Sequence, residues 1–272
     1  MKLNALNLLP FFAPWRHFSI WKQFVRREVL GRYRGSVLGI SWAFFTPLLM
    51  LMVYTFVFVG IFKARWPGAE EAGGMAYALR IFSGLMVFNF FSEVVGRAPM
   101  LVLEQPNLVK KVVFPLELLA YVSLGSALFH LGLSAAILLV GAAVFGNGLA
   151  AVTLLLPIIL LPMVPLLLGL SWLLSSLGVY VRDIGPVVGL IVSFLIFLSP
   201  VFYSLKSVSP DLQYWMELNP LTHVIENSRM VIFSGSGPDW GNWLMSMVVG
   251  CCVACLGAWV FYGLRDGFAD VV

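Results

Sequence analysis

Long apolar stretches, separated by short polar segments, organise most of this 272-residue chain. A long charge-free stretch extends from Gly35 to Phe62 and directly follows a segment with four arginines. Because a helix of about 20 apolar residues can cross a lipid bilayer, a stretch of this length is typical of a membrane-spanning helix. The same pattern predicts six crossing helices, over residues 36–62, 76–96, 118–145, 149–181, 185–203 and 240–264.

Two polar segments between these helices are longer than simple turns. Residues 97–113 contain two prolines, which break the stretch and allow a short helix in its middle. Residues 204–239 contain two short apolar patches around Asn219–Pro220, and neither patch is long enough to cross a membrane. We therefore predict an extramembranous loop over 97–113, and a re-entrant helical hairpin over 204–239 on the opposite side.

The segment before the first crossing has a different pattern. Between residues 15 and 32 the apolar side chains fall on one stripe of a helical wheel, and Arg16 and Arg27 point the other way. The stripe consists of Trp15, Phe18, Trp21, Val25 and Val29. Tryptophan beside basic residues is typical of a helix in the headgroup plane, so we predict an amphipathic interface helix over 15–32. A soluble cap helix would have the same pattern and is the alternative.

The composition indicates an all-α integral membrane protein with a single transmembrane domain over residues 1–272. Hydrophobic residues make up 60% of the chain and charged residues only 11%, with a mean hydropathy of +0.94. A soluble domain exposes far more charge than this.

The distribution of basic residues predicts the orientation in the membrane. Six crossings put both termini on one side, and twelve of the 17 basic residues then fall on that side. Basic residues accumulate on the cytoplasmic face of membrane proteins, so we place both termini and the 97–113 loop in the cytoplasm. The net charge of +4 therefore reflects topology, and we expect no nucleic-acid partner.

The sequence lacks the motifs that would supply energy for transport. No lysine follows a glycine, so the chain has no P-loop for ATP. Ionisable residues cluster at the edges of the predicted spans, whereas ion-coupled carriers place acidic groups or broken helices near the midplane. The cysteines at 251, 252 and 255 have no histidine nearby, and we expect no metal site. We expect no enzymatic activity of the chain itself, and an energy source in a partner subunit.

Four stretches resemble the membrane subunit of ABC-2 type polysaccharide exporters, the class that moves O-antigen, capsule or teichoic-acid chains. They are RYRGSVLGISWAFFTPLLMLMVYTFVF at 32–58, NLVKKVVFPLELL at 107–119, VRDIGPVV at 181–188 with SPVFYS at 199–204, and NPLTHVIENSRMVIF at 219–233. Together with the six-span pattern they cover nearly the whole chain in order.

This resemblance implies a homodimer of the chain in the bacterial inner membrane, with two copies of an ABC ATPase subunit on its cytoplasmic face. ATP and Mg²⁺ would bind to the ATPase, and this chain would hold no cofactor. The ATPases would contact the interface helix and the 97–113 loop and transmit force to them. The link after the fourth helix would make a second, smaller contact with the ATPases. The candidate coupling residues are Arg97, Glu104, Lys110, Lys111, Arg182 and Asp183.

The resemblance also assigns a role to the hairpin before the last helix. It would lie on the periplasmic side and close the channel there. Its candidate gate residues are Asn219, Pro220, Glu226 and Arg229.

A glycan carried on polyprenyl pyrophosphate has an anionic head that needs basic groups near the cytoplasmic leaflet. Arginine suits pyrophosphate because its planar guanidinium donates two hydrogen bonds at once. The candidates, all in the basic segment before the first crossing, are Arg26, Arg27, Arg32 and Arg34. Arginines at this place also fix topology or touch lipid headgroups, which is the alternative explanation.

The glycan chain itself needs a channel wall with flat apolar surfaces. Aromatic rings pack against the C–H faces of sugars while the hydroxyls stay hydrated. We predict an aromatic wall on the first and fifth helices, formed by Tyr54, Phe58, Phe62, Phe194 and Phe197. Aromatic stripes in membrane helices also face lipid or pack against other helices, and this alternative stays open.

The sequence therefore predicts the channel-forming permease subunit of an ATP-driven exporter of lipid-linked polysaccharide, with O-antigen as the substrate. Export of capsular polysaccharide, teichoic acid or a non-glycan substrate is the alternative within this class. Two other classes fit less well. A membrane enzyme acting on lipid-linked sugars would need paired acids or a metal site, and a structural anchor for a cytoplasmic partner would not need the hairpin.

Overall fold

The computed structural model describes residues 11–62, 66, 73–110, 114–145 and 148–272. Every regular element among these residues is helical, which confirms the predicted all-α fold. The predicted coupling residue Lys111 lies outside the described residues. The α-helices are α1 (Phe18–Arg32), α2 (Trp42–Tyr54), α3 (Gly73–Arg97), α4 (Pro106–Lys110), α5 (Leu118–Phe145), α6 (Leu156–Leu160), α7 (Met163–Tyr180), α8 (Ile184–Leu198), α9 (Pro210–Glu217), α10 (Pro220–Arg229), α11 (Trp240–Leu264) and α12 (Phe268–Val271).

Five helical segments among the described residues are long and apolar enough to cross a membrane. Short 3-10 or π turns extend several of the α-helices, so these segments are longer than the α-helices alone. The segments are Gly39–Ile61, Gly74–Met100, Leu118–Phe145, Ala151–Tyr180 and Trp240–Val271.

The predicted span over 185–203 is shorter in the structure. Helix α8 has 15 residues, which is about 22 Å of helix, and a bilayer core is about 30 Å thick. The helix ends at Leu198 because Pro200 has no N–H to donate and forces Ser199 into an extended conformation. The six-span count is therefore not confirmed and stays a prediction.

Helices α7 and α11 form the most extensive helix pair. Their backbones approach closely where Gly169 of α7 lies against Val253 and Gly257 of α11, and a side chain on either glycine would collide with backbone atoms. Trp172 of α7 is fully buried, and its indole N–H donates to the carbonyl of Glu117 at 3.0 Å. Small residues at such positions let membrane helices pack tightly.

Helix α1 packs along the first half of α5. The indole N–H of Trp21 donates to the carbonyl of Tyr121 at 2.9 Å, and Trp21 and Val25 lie against Gly125. Val29 is buried, whereas Trp15 and Phe18 at the start of the stripe are exposed. Protein contacts thus cover the C-terminal half of the predicted apolar stripe. The assignment of α1 to the headgroup plane stays a prediction.

The bundle has two ends, which we name after the helices that lie there. Helix α3 connects them, because Arg97 at its C-terminus pairs with Glu28 of α1, and the carbonyl of Arg80 near its N-terminus accepts from Arg229 of α10. The α1 end therefore contains α1, the turn after α3, and the link between α7 and α8. The α10 end contains the end of α8 and the helices α9 and α10.

The predicted hairpin segment contains a pair of helices, α9 and α10, joined at Leu218–Asn219. Helix α10 packs against α3, α6 and α11, and nearly all of its side chains are buried. On α9, by contrast, the side chains of Leu212, Tyr214 and Trp215 are exposed and Met216 is buried. Insertion of this pair into the membrane as a re-entrant hairpin is not confirmed and stays a prediction.

Candidate functional site

The two groups of the predicted aromatic wall meet at the α10 end through Phe202. The ring of Phe58 stacks on Phe202 with centroids 5.7 Å apart, and the ring of Tyr54 lies 6.1 Å from it. From the other side, the Phe197 ring of α8 lies 6.3 Å from Phe202. Phe202 therefore connects the first crossing to α8. We call Tyr54, Phe58, Phe197 and Phe202 the aromatic cluster.

Of the remaining wall residues, only Phe62 has a ring contact with this cluster among the described residues. Phe62 is 5.9 Å from the Phe58 ring and is mostly exposed, and Phe194 is exposed on the surface of α8. Tyr77 of α3 also contacts Phe58, at 6.2 Å between centroids. The wall was predicted from the spacing of aromatic residues along two helices. Phe202 lies in a non-helical segment, where such spacing does not apply, and was therefore not predicted.

A cavity of about 530 Å³ adjoins the aromatic cluster between the end of α8 and α9. Phe197 belongs to both features, and the other side chains around the cavity are mainly apolar, among them Leu195, Tyr203, Leu212 and Trp215. The cavity can accept an apolar surface beside the aromatic rings.

Arg229, predicted as a gate residue, is the most buried charged side chain of the hairpin pair, with 5% of its surface exposed. Its guanidinium donates to the carbonyls of Pro200 at 2.6 Å, Val201 at 2.7 Å and Tyr203 at 3.3 Å, just after α8. It also donates to the carbonyl of Arg80 at 3.1 Å. These bonds attach α10 to α3 and to the segment that carries Phe202.

The other predicted gate residues lie close by. Glu226 accepts from Arg229 at 2.8 Å and balances its charge. The amide of Asn219 donates to the hydroxyl of Ser199 at 2.9 Å, and its carbonyl oxygen accepts from the N–H of Leu221 to cap α10. Pro220 is the first residue of that helix, where its missing N–H costs nothing.

Charged residues at the α1 end form two ion-pair networks. Arg97 pairs with Glu28 of α1 and, at 3.1 Å, with Glu104 in the following loop. Burial raises the pKa of Glu28, and the guanidinium of Arg97 opposes that shift. Arg97 and Glu104 were predicted as contacts for the ATPase, and the structure places them in bonds within the chain.

The second network ties the end of α1 to α3 and α5. Arg32 pairs with Glu93 at 2.7 Å, and Glu93 also contacts the Nδ1 of His130 at 2.9 Å. The Nε2 of His130 lies 2.9 Å from the hydroxyl of Tyr33. The sequence pattern does not connect Arg32, Glu93 and His130, because these residues are far apart in the chain.

The predicted pyrophosphate arginines therefore differ in their surroundings. Arg26, Arg27 and Arg34 are exposed, and the guanidinium of Arg27 lies over the ring of Phe24. Arg32 alone among the four has a carboxylate partner among the described residues.

The remaining coupling candidates are exposed at the α1 end. Lys110 is the last residue of α4. Arg182 and Asp183 link α7 to α8, beside the turn Ala98–Met100 that both helices contact. The structure thus places the loop after α3 and the 182–183 link at the same end of the bundle.

Comparison with known proteins identifies the family. The family described as ABC-2 type transporter matches residues 20–233 of the chain. An O-antigen export system permease protein, RfbA, from Myxococcus xanthus is 25% identical over 250 residues, which cover 91% of this chain and 93% of that protein. Proteins of the same description from Klebsiella pneumoniae are 22% and 21% identical over 256 residues, which cover 94% of this chain and 95% of theirs. A match over this much of the sequence, on an all-helical bundle with several crossing segments, shows that the chain is a multipass membrane protein that belongs to the ABC-2 type transporter family.

Proposed function

We propose that this chain is the membrane-spanning permease subunit of an ATP-driven exporter that moves O-antigen on a polyprenyl pyrophosphate carrier across the bacterial inner membrane. The observation that carries this proposal is the match, over more than nine-tenths of the chain, to permeases named for O-antigen export. Capsular polysaccharide, teichoic acid or a non-glycan substrate is the alternative cargo.

In the proposed exporter two copies of the chain pair with two ABC ATPase subunits, which bind ATP and Mg²⁺. The α1 end faces the cytoplasm with both termini, and the α10 end faces the periplasm. The distribution of charge supports this orientation. Twelve of the 17 basic residues belong to segments assigned to the α1 end or to the termini, and basic residues accumulate on the cytoplasmic face.

Force from the ATPase reaches the bundle through α1 and the loop after α3. The ion pairs of Arg97 join these two elements, so a displacement of either one is passed to the C-terminus of α3. The pair between Arg32 and Glu93 adds a second connection four residues further into α3. Helix α3 then carries the motion towards the aromatic cluster, because it also contacts Phe58 through Tyr77.

The chemistry of the cargo fits the two ends differently. The exposed guanidinium groups of Arg26, Arg27 and Arg34 suit the anionic pyrophosphate head on the cytoplasmic side. The aromatic cluster offers flat apolar faces for sugar rings at the other end. Such contacts are shallow, which favours the passage of a long chain over its retention.

The test is deletion of the gene in the organism that encodes it, with complementation by the wild-type gene. We expect loss of O-antigen from the cell surface and accumulation of lipid-linked O-antigen on the cytoplasmic side, with capsule unchanged. Normal surface O-antigen together with loss of another envelope polymer would overturn the O-antigen assignment and favour the alternative cargo.

A further inference from the structure

The backbone just after α8 is non-helical, so its carbonyls have no partners within a helix. Helix α8 is too short to reach across a bilayer by itself, and the chain continues as a non-helical segment from Ser199 to Ser204. The carbonyls of a non-helical segment at membrane depth need partners, since each unsatisfied group in an apolar surrounding costs several kcal/mol.

Arg229 supplies those partners. Its guanidinium donates to three carbonyls of this segment, at Pro200, Val201 and Tyr203, which lie on both sides of Phe202 in the chain. A further bond goes to the carbonyl of Arg80, so the segment is attached to the long helix α3. A planar group with five donors is suited to this pattern, whereas the compact ammonium of lysine has three donors and no fork.

The surroundings leave little freedom for this guanidinium. Gly84 of α3 faces it directly, and a methyl group there would lie 2.8 Å from Nη2 of Arg229 and 3.1 Å from Val201. The ring of Trp66 lies 4.7 Å from the guanidinium carbon on another side. Glu226 provides the balancing charge. The side chain is therefore held in one position, and with it the backbone around Phe202.

We propose that Arg229 is a positioning residue that holds Phe202 between the first crossing and α8, and that Phe202 thereby closes the pathway at the α10 end when no ATP is present. This inference rests on the proposed function, since it requires a pathway through the membrane. Release of the 199–204 segment lets the Phe202 ring leave the Phe58 and Tyr54 rings, so that the first crossing and α8 separate.

The first experiment measures leakage and needs neither ATP nor substrate. The full-length chain is reconstituted into lipid vesicles loaded with a small anionic fluorescent dye. We expect the wild type to retain the dye, and Phe202→Ala and Arg229→Lys to release it several-fold faster. Phe44→Ala, on the first crossing near the α1 end, and Arg265→Lys, at a partly exposed arginine of that end, are the matched controls and should behave as the wild type.

The second experiment tests position directly, so that a general loss of stability is not mistaken for the proposed role. Cysteines replace Phe58 and Phe202 in a chain whose natural cysteines are changed to serine, and a short thiol-reactive cross-linker joins them. We expect efficient cross-linking with Arg229 present, and a several-fold lower yield with Arg229→Lys or Gly84→Ala at an unchanged unfolding temperature.

The outcomes separate the two proposals. Dye retention by Phe202→Ala overturns the closing role of Phe202, whether or not the protein exports O-antigen. Leakage by Phe202→Ala with unchanged cross-linking in Arg229→Lys overturns the positioning role of Arg229. Leakage and lost cross-linking in a chain whose deletion leaves O-antigen untouched would support the inference and reject the O-antigen assignment.

Discussion

At the scale of single residues, Arg32 and Arg34 show how neighbouring arginines acquire different chemistry. Arg32 points its guanidinium at Glu93, which also holds His130, whereas Arg34 is exposed in the turn before the first crossing. An arginine already paired with a carboxylate has fewer donors for an anion. Of the two, Arg34 is therefore the better candidate for contact with the carrier pyrophosphate.

We expect Arg34→Lys to lower export several-fold while insertion and assembly stay normal, because lysine keeps the charge but loses the bidentate geometry. Arg32→Lys should have a smaller effect, since lysine still pairs with Glu93 and a partly exposed pair contributes only about 0.2–1 kcal/mol. Export assays on the two single variants, with binding of vesicles that contain polyprenyl pyrophosphate, distinguish these cases. Normal export by Arg34→Lys would leave topology as the only role of this arginine.

At the scale of elements, the loop after α3 is a fixed part of the bundle and not a free arm. Arg97 and Glu104 are bonded to each other, and Arg97 also to α1, so their replacement would loosen the loop before any contact with a partner is tested. Lys110 is exposed at the end of α4 and offers a cleaner probe of a docking surface.

Replacement of Lys110 and Lys111 by alanine should reduce export and the stimulation of the partner ATPase several-fold. The expected loss is limited because exposed ion pairs contribute only about 0.2–1 kcal/mol each. Lys206→Ala, at the α10 end, serves as the control for loss of positive charge. If the double variant stimulates the ATPase like the wild type, the loop is not the docking element.

The pairing of α7 with α11 leads to a stability prediction. Gly257→Leu should destabilise the protein by about 1–3 kcal/mol or more, because the new side chain would meet the backbone of Gly169. Gly263→Leu, later in α11, has open space around its Cβ position and should be nearly neutral. Thermal unfolding in detergent gives the comparison, and equal unfolding temperatures for the two variants would contradict the tight packing.

At the scale of the whole molecule, the described part of the chain exposes large apolar surfaces. The first crossing exposes Phe44, Met52 and Phe56, and α8 exposes Leu190 and Phe194. Lipid covers such surfaces in a membrane, and a second copy of the chain covers part of them in the proposed homodimer. The described residues include no group of three or more histidine, cysteine or acidic side chains that would hold a metal ion.

We expect the purified chain alone to hydrolyse no ATP, and hydrolysis coupled to export to require the partner ATPase. The reason is that no lysine in the sequence follows a glycine, so the P-loop is missing. The measurement is phosphate release by the homogeneous chain, with and without the partner. Sustained hydrolysis by the chain alone, free of contaminating ATPases, would refute this prediction.

The all-α membrane fold and the family could be predicted from the sequence. Uncharged stretches such as Gly35 to Phe62 are expected to be helical in a bilayer, since a helix forms the hydrogen bonds of its backbone within the segment. The resemblance over four ordered stretches is confirmed by the family match over residues 20–233. Both conclusions depend on short stretches of sequence and on their order along the chain, and these can be read without the structure.

Only the tertiary structure decided which side chains meet. Arg32 and Glu93 are 61 positions apart, and nothing in either local sequence names the other as its partner. The same holds for Phe202, which joins two aromatic groups from a non-helical segment without periodicity. Arg229 was predicted as a gate residue, but the sequence could not name the carbonyls that it binds. Every residue has a backbone carbonyl of the same chemistry, so only the packing of the chain decides which carbonyls lie within reach of Arg229.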